Sequence, residues 1–142
     1  RSMAGERIGF AIGAPELIRA IHDVKYSFNS YTMNRSALMA GTAAVEDSAY
    51  LKETTAKIVA TRERTKRVLA EMGFQFPDSK SNFLFVTHPD CDAHALFEAL
   101  RQAHIFVRWF DAPRIRNYLR ITIGTDAQMD ALFAFLKTYL KK

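Results

Sequence analysis

Four arginines crowd one stretch near the end of the sequence: Arg108, Arg114, Arg116 and Arg120. Residues 118–123 read as a strand. Alternation then puts Leu119, Ile121 and Ile123 on one face and Tyr118, Arg120 and Thr122 on the other. An arginine in the middle of an otherwise apolar strand is costly unless an anion meets it. Guanidinium binds carboxylate and phosphate alike, through two parallel hydrogen bonds. The residues alone leave Arg120 two partners, a bound anion or an internal Asp or Glu. Arg114 and Arg116 fall in a loop with Pro113 and read as solvated.

Other combinations carry less. His88, Cys91 and His94, with Asp90 and Asp92 between them, resemble a metal loop in composition, but the spacing matches no common zinc pattern. Asp92 is better used as a helix cap, so no metal is expected. The four histidines lack the partners of a Ser-His-Asp or Cys-His arrangement. No glycine pattern of the Walker or Rossmann kind is present.

The elements that must position the arginines follow from periodicity. Residues 8–13 read as a short strand. Pro15 and Glu16 suit a first helical turn, and Leu17, Ile18, Ile21 and Val24 follow at helical spacing. Residues 25–31 read as a polar and aromatic link. Residues 32–46 form an Ala-rich helix whose small residues, Gly41 among them, permit close approach of another element. Ser48 is placed to cap the next helix. Its stripe, Leu51, Thr55, Ile58, Arg62, Thr65, Leu69 and Met72, spans about six to seven turns and stops at Gly73. Short strands are expected at 74–76, 82–87, 105–108 and 118–123. Helices are expected at 92–101, with Leu96, Phe97 and Leu100 inward, and after Thr125, which forms a capping box with Gln128. The second half is thus an α/β arrangement with helices packed on a small sheet. The first half has helices with no sheet of its own.

Composition sets the bounds. The 142 residues are 49% hydrophobic and 25% charged, ordinary values for a globular chain. No apolar run suffices for a membrane helix, so no membrane partner is expected. One cysteine, Cys91, permits no internal disulfide, which favours a reducing, cytoplasmic setting. A net charge of +5 suits nucleic acid or an anionic small molecule. The charges in 57–67 read as the solvated face of a helix. Aromatics are not interleaved with the basic residues as base-stacking platforms require, so no nucleic-acid partner is expected.

Three motifs resemble a known family. Arg1-Ser2-Met3-Ala4-Gly5-Glu6-Arg7-Ile8-Gly9-Phe10 resembles the segment after the Schiff-base lysine in fold-type-I, pyridoxal-phosphate (PLP) aminotransferases. Residues 24–31, Val-Lys-Tyr-Ser-Phe-Asn-Ser-Tyr, resemble a linker of the histidinol-phosphate aminotransferases. Residues 113–125, Pro-Arg-Ile-Arg-Asn-Tyr-Leu-Arg-Ile-Thr-Ile-Gly-Thr, are similar to the C-terminal signature of that family, and Ser81-Asn82-Phe83 and Val107-Arg108 also fit.

The resemblance covers essentially the whole chain and implies much about it. It implies the C-terminal small α/β domain of the fold over residues 48–142. Residues 1–47 would be the end of the large PLP-binding domain, one strand and the interdomain helices. It implies that Arg7 holds the cofactor phosphate, that Arg120 holds the substrate anion and that Arg108 is a second anion contact. The lysine would stand two positions before Arg1, so no catalytic residue is expected within the sequence and the piece alone should be inactive. The implied reaction passes an amino group between glutamate and imidazole-acetol phosphate, in a homodimer. Alternatives are an aromatic-amino-acid aminotransferase, a threonine-phosphate decarboxylase, or a basic binding module without enzymatic activity.

Overall fold

The computed structural model describes residues 4–141. The first three residues of the opening motif, and Lys142, lie outside the described residues. The backbone groups into two compact units, one ending at Lys52 and one beginning at Glu53.

The first unit opens with a single 3-10 turn, Ala4–Glu6, and then Arg7 in the left-handed region at φ 59°. Residues 8–14 carry no regular structure, which corrects the expected strand at 8–13. A strand exists only when its backbone groups pair with a neighbour, and among the described residues of this unit there is no strand. Helix α1, Pro15–Phe28, begins on its proline and runs four residues into the stretch read as a link. Nothing between Lys25 and Phe28 breaks a helix. The end comes at Asn29, whose backbone is extended and whose side chain accepts from Tyr31 N at 3.0 Å.

Helix α2, Arg35–Glu46, is capped by Asn34, whose side chain accepts from Ala37 N at 2.7 Å. Its small residue Gly41 is put to use: a Cβ there would lie 3.0 Å from Ile8 Cδ1. Ile8 and Phe10 thus line, with Met33, Leu38 and Val45, an apolar cleft of about 510 Å³.

Helix α3, Ser48–Glu71, has the length its stripe predicts. Its cap is Asp47 rather than Ser48, with the carboxylate accepting from Tyr50 N at 2.9 Å. The helix ends on Gly73 at φ 88°, a conformation that costs glycine little.

The second unit is built on three antiparallel strands in the order β1, β3, β2. They are β1 (Phe83–Val86), β2 (Arg108–Trp109) and β3 (Leu119–Thr122). Residues 74–76 contribute only an isolated bridge, Gln75 to Thr87. Of the strand expected at 105–108, only Arg108 pairs, together with Trp109. Helix α4, Ala93–Gln102, is capped by Asp92, and α5, Asp126–Tyr139, starts on the expected capping box of Thr125 and Gln128.

One face of the sheet is covered. Leu84, Val86, Leu119 and Ile121 join Leu69 of α3, Leu96 and Leu100 of α4, and Leu132 and Leu136 of α5 in a single core. At about 25 cal/mol per Å² of apolar surface removed from water, this burial is what holds the sheet to its helices.

The charges on α3 are not all solvated, as periodicity had suggested. Arg62 is 5% exposed, donating from Nε to Glu63 and from Nη1 to the Ser81 carbonyl just before β1, each at 3.0 Å. Arg64 reaches Asp126 and Asp130 of α5 at 3.1 and 2.6 Å. The sequence had already set Arg62 in the inward stripe, between Ile58 and Thr65, and the position outweighed the charge.

Candidate functional site

The uncovered face of the sheet carries the candidate site. The alternation in β3 turns Leu119 and Ile121 into the core and leaves Arg120 half-buried on the opposite side. Register places Arg120 directly across from Phe85 on one neighbour and from Arg108 on the other. Residues directly opposite in an antiparallel pair share a face and lie close together. Two cations therefore face each other across the ladder.

Among the described residues no carboxylate lies within salt-bridge reach of Arg108 or Arg120, so the internal salt bridge left open by the sequence is not formed. The Nε of Arg120 is buried and has no hydrogen-bond partner. Its guanidinium instead lies over aromatic rings, 4.6 Å from the centre of Phe83 and 5.5 Å from that of Phe110. Arg108 lies over Phe110 at 5.4 Å and is exposed. Phe85 stacks on Tyr118 at 4.7 Å, nearly parallel, on the same face.

Like charges placed opposite each other destabilise a sheet, and a buried donor left unpaired costs about 1–3 kcal/mol. An anion held between the two guanidiniums offsets the repulsion, and one that reaches Nε of Arg120 satisfies the buried donor. The arrangement is a cation pair on an aromatic floor, suited to a carboxylate or phosphate.

The loop after β2 is held in place. Trp109 Nε1 donates to the Arg116 carbonyl at 2.6 Å, and Asn117 Nδ2 donates to Thr87 Oγ1 at 3.1 Å. Arg114 and Arg116 are exposed, as expected. Arg7 belongs to the first unit. It is exposed and makes no ion pair with a described residue, and its backbone N donates to the Ala4 carbonyl at 3.3 Å.

The residues of the apparent metal loop are spent separately. His88 Nε2 meets the Met72 carbonyl at 3.0 Å, while Asp90 N donates to its Nδ1 at 3.2 Å. Asp92 caps α4, and His94 packs on Trp109 with ring centres 4.4 Å apart. Burial pushes the Cys91 thiol up, away from the thiolate that nucleophilic chemistry requires. No group of three or more His, Cys, Asp or Glu among the described residues could hold a metal ion. No helix among them is long and apolar enough to cross a membrane.

Sequence reasoning found both arginines but not the rings that hold them. Phe110 stands two residues after Arg108, on the same side of the extended chain, and that spacing was a usable signal.

The chain also has relatives among known proteins. The model of the class I and II aminotransferases matches residues 1–136, and the chain belongs to that family. It is 48% identical over 141 residues to the histidinol-phosphate aminotransferase of Brachyspira hyodysenteriae. Its identity to that of a Marinomonas species is 50% over 140 residues. These alignments take in 99% and 97% of the chain, and the chain spans 40% of the length of each relative. The crystal structure of the Sinorhizobium meliloti histidinol-phosphate aminotransferase, in complex with pyridoxal-5'-phosphate, superposes with a TM-score of 0.83. That match has 33% identity and covers 98% of this chain and 38% of the other.

Proposed function

We propose that this chain is the C-terminal part of a PLP-dependent histidinol-phosphate aminotransferase, which passes an amino group between glutamate and imidazole-acetol phosphate in histidine biosynthesis. The observation that carries the proposal is the pair Arg108 and Arg120, opposite each other across two strands, with no counter-ion among the described residues. Both substrates bear an anion at the end remote from the transferred group or beside it, a phosphate in one and carboxylates in the other. Arg120 would grip that anion in either case, and Arg108 would add a second contact. Residues 1–47 are assigned to the end of a large domain and its interdomain helices, and residues 48–142 to the small domain.

Bound PLP would supply the electron sink of the reaction. Arg7 fits the part of phosphate holder, because its guanidinium is exposed and engaged by no described carboxylate. No catalytic residue is assigned within residues 1–142; the lysine is assigned to the position two before Arg1. A homodimer working in the cytoplasm is part of the same reading. The single free Cys91 is compatible with a reducing compartment.

The test uses the full-length protein. Arg120→Lys keeps the charge but loses the planar two-pronged fork. A charge-assisted hydrogen bond is worth about 1.5–3 kcal/mol, so single-turnover constants with glutamate and with histidinol phosphate should each fall by roughly 10- to 150-fold, with PLP still bound. Arg7→Ala should weaken PLP retention over a similar range in equilibrium dialysis, with the fold intact. A destabilised Arg120→Lys protein with parental half-reaction constants would overturn the substrate role. A screen of amino donors separates this enzyme from an aromatic-amino-acid aminotransferase, and release of carbon dioxide separates it from a decarboxylase.

A further inference from the structure

We infer that Phe110 is a positioning residue that sets how the site discriminates between a phosphate-bearing and a carboxylate-bearing substrate. The inference rests on the assignment of Arg108 and Arg120 to the substrate anion. Its basis is that the two arginines are held unequally. Arg120 lies in the central strand, half-buried, over both Phe83 at 4.6 Å and Phe110 at 5.5 Å. Arg108 lies in the edge strand, exposed, and the one ring beneath its guanidinium among the described residues is Phe110, at 5.4 Å.

The geometry follows from strand register. Phe110 follows the end of β2, two residues beyond Arg108, and its ring lies on the same side, 5.4 Å from the Arg108 guanidinium. Arg108 is opposite Arg120, and Trp109 is opposite Leu119, so the side chain of Phe110 meets Arg120 on the diagonal, within reach for an aromatic ring. One ring therefore serves two cations. A guanidinium lying on a ring face keeps its N–H edges free for an anion while losing freedom to swing away. Removing Phe110 leaves Arg120 with Phe83 and its strand, but leaves Arg108 with no ring.

The two substrate ends respond differently to that loss. A carboxylate has two oxygens and is satisfied by one fork, which Arg120 supplies. A phosphate presents a third oxygen and gains from a second guanidinium fixed nearby. Phe110 thus acts through Arg108 on the phosphate end, and touches the carboxylate end little.

The experiment measures half-saturation and maximal rate of each half-reaction in the full-length holoenzyme for Phe110→Ala, Phe110→Leu and Phe110→Tyr, with Arg120→Lys in parallel. Phe110→Ala should raise the half-saturating concentration of histidinol phosphate by about 2- to 5-fold, the range of an exposed cation–ring contact. Glutamate should change by less than about 1.5-fold, and the maximal rates should stay near parental. Phe110→Tyr, which keeps the ring, should restore the parental ratio. Phe110→Leu keeps bulk without a ring and should behave as Phe110→Ala does; it carries the test if the alanine variant does not fold. An equal loss for both substrates, parental values for both, or full rescue by leucine would overturn the inference. If Arg120→Lys still impairs both half-reactions in such a case, the failure belongs to Phe110 alone. If Arg120→Lys is also parental, the assignment of the arginine pair falls with it.

Discussion

Ile21 and Leu84 are both aliphatic side chains placed by a regular pattern, one at helical spacing and one by strand alternation, and they meet opposite fates. Leu84 is 0% exposed and Ile21 is 49% exposed. The contrast holds for the regions around them. Among the described residues, every buried apolar side chain except Ala37 lies beyond residue 52, while Phe10, Leu17, Val24, Leu38 and Met39 of the first unit stand in solvent. Local signals, such as Pro15 at a helix start or Asn34 as a cap, suffice to draw α1 and α2. They do not supply something to cover the apolar faces so formed. Helix formation is local; burial needs a partner of complementary shape. Exposed apolar area on this scale marks contact surface.

The sharpest way to break the comparison is a matched pair of truncations. Leu84→Ala should cost about 2–5 kcal/mol, the range for a large side chain removed from a packed core. Ile21→Ala should stay within about 0.5 kcal/mol, as for an exposed position. Urea midpoints at constant slope provide the measurement, and similar costs at both sites would show that Ile21 is buried in solution. A second measurement sharpens the same point: a hydrophobic dye should fluoresce with the parent chain, and Leu17→Ser/Val24→Ser should dim it while leaving the urea midpoint of the second unit in place. Undiminished fluorescence would move the dye-binding surface elsewhere.

Caps should respond more evenly, because a cap is local. Asn34→Ala and Thr125→Ala each remove one side-chain acceptor from a helix start, at a cost of about 1 kcal/mol. The expected difference is where the cost is felt. Thr125→Ala should lower the global midpoint, since α5 closes the core. Asn34→Ala should speed amide exchange in α2 and leave the global midpoint near parental. A drop in global stability for Asn34→Ala as large as that for Thr125→Ala would join the two units into one cooperative fold.

The smallest effect expected is electrostatic. The hydrogen bond from Lys66, with a second from Lys80, holds the Asp78 carboxyl down at about 2 from an ordinary 3.8. A depressed carboxyl stabilises the folded state above its ordinary value and loses that contribution as pH falls toward about 2. The group is fully exposed, so water and salt screen most of the gain. Asp78→Asn should therefore flatten the decline of stability between pH 4 and 2 slightly, and change little at pH 7. A steeper acid limb in the variant would reverse the sign assigned here.

How much of this was legible in the sequence depends on how far apart the interacting residues lie. The five helices were readable because their spacing, caps and stops are local; α1 ran long only because residues 25–28 carry polar and aromatic side chains that a helix tolerates. The faces of β3 were readable from alternation alone. The strands expected at 8–13 and 74–76 did not form as such, and of the one expected at 105–108 only Arg108 pairs, because a strand is decided by its neighbour, and no neighbour is written into its own residues. Residue Asp47 took the cap from Ser48 by a shift of one position, within the ordinary uncertainty of helix ends. At the site, Arg120 announced itself by its cost in an apolar strand. Its position opposite Arg108 depends on register between β2 and β3, which is set by core packing and by the loop between them, and could not be read from either strand.

The two facing arginines also bear on how this sheet keeps its shape. As like charges directly opposite each other they disfavour the pairing of β2 with β3, and the ladder that resists is only two residues long on the β2 side. An anion seated there turns repulsion into a tie between strands. Occupancy and folding are then linked: any anion bound by the pair stabilises the sheet in proportion to the logarithm of its concentration over its dissociation constant. Salt should ease the repulsion between the two guanidiniums by screening it, so the edge strand should hold most loosely in dilute buffer and tighten as anionic ligand is added.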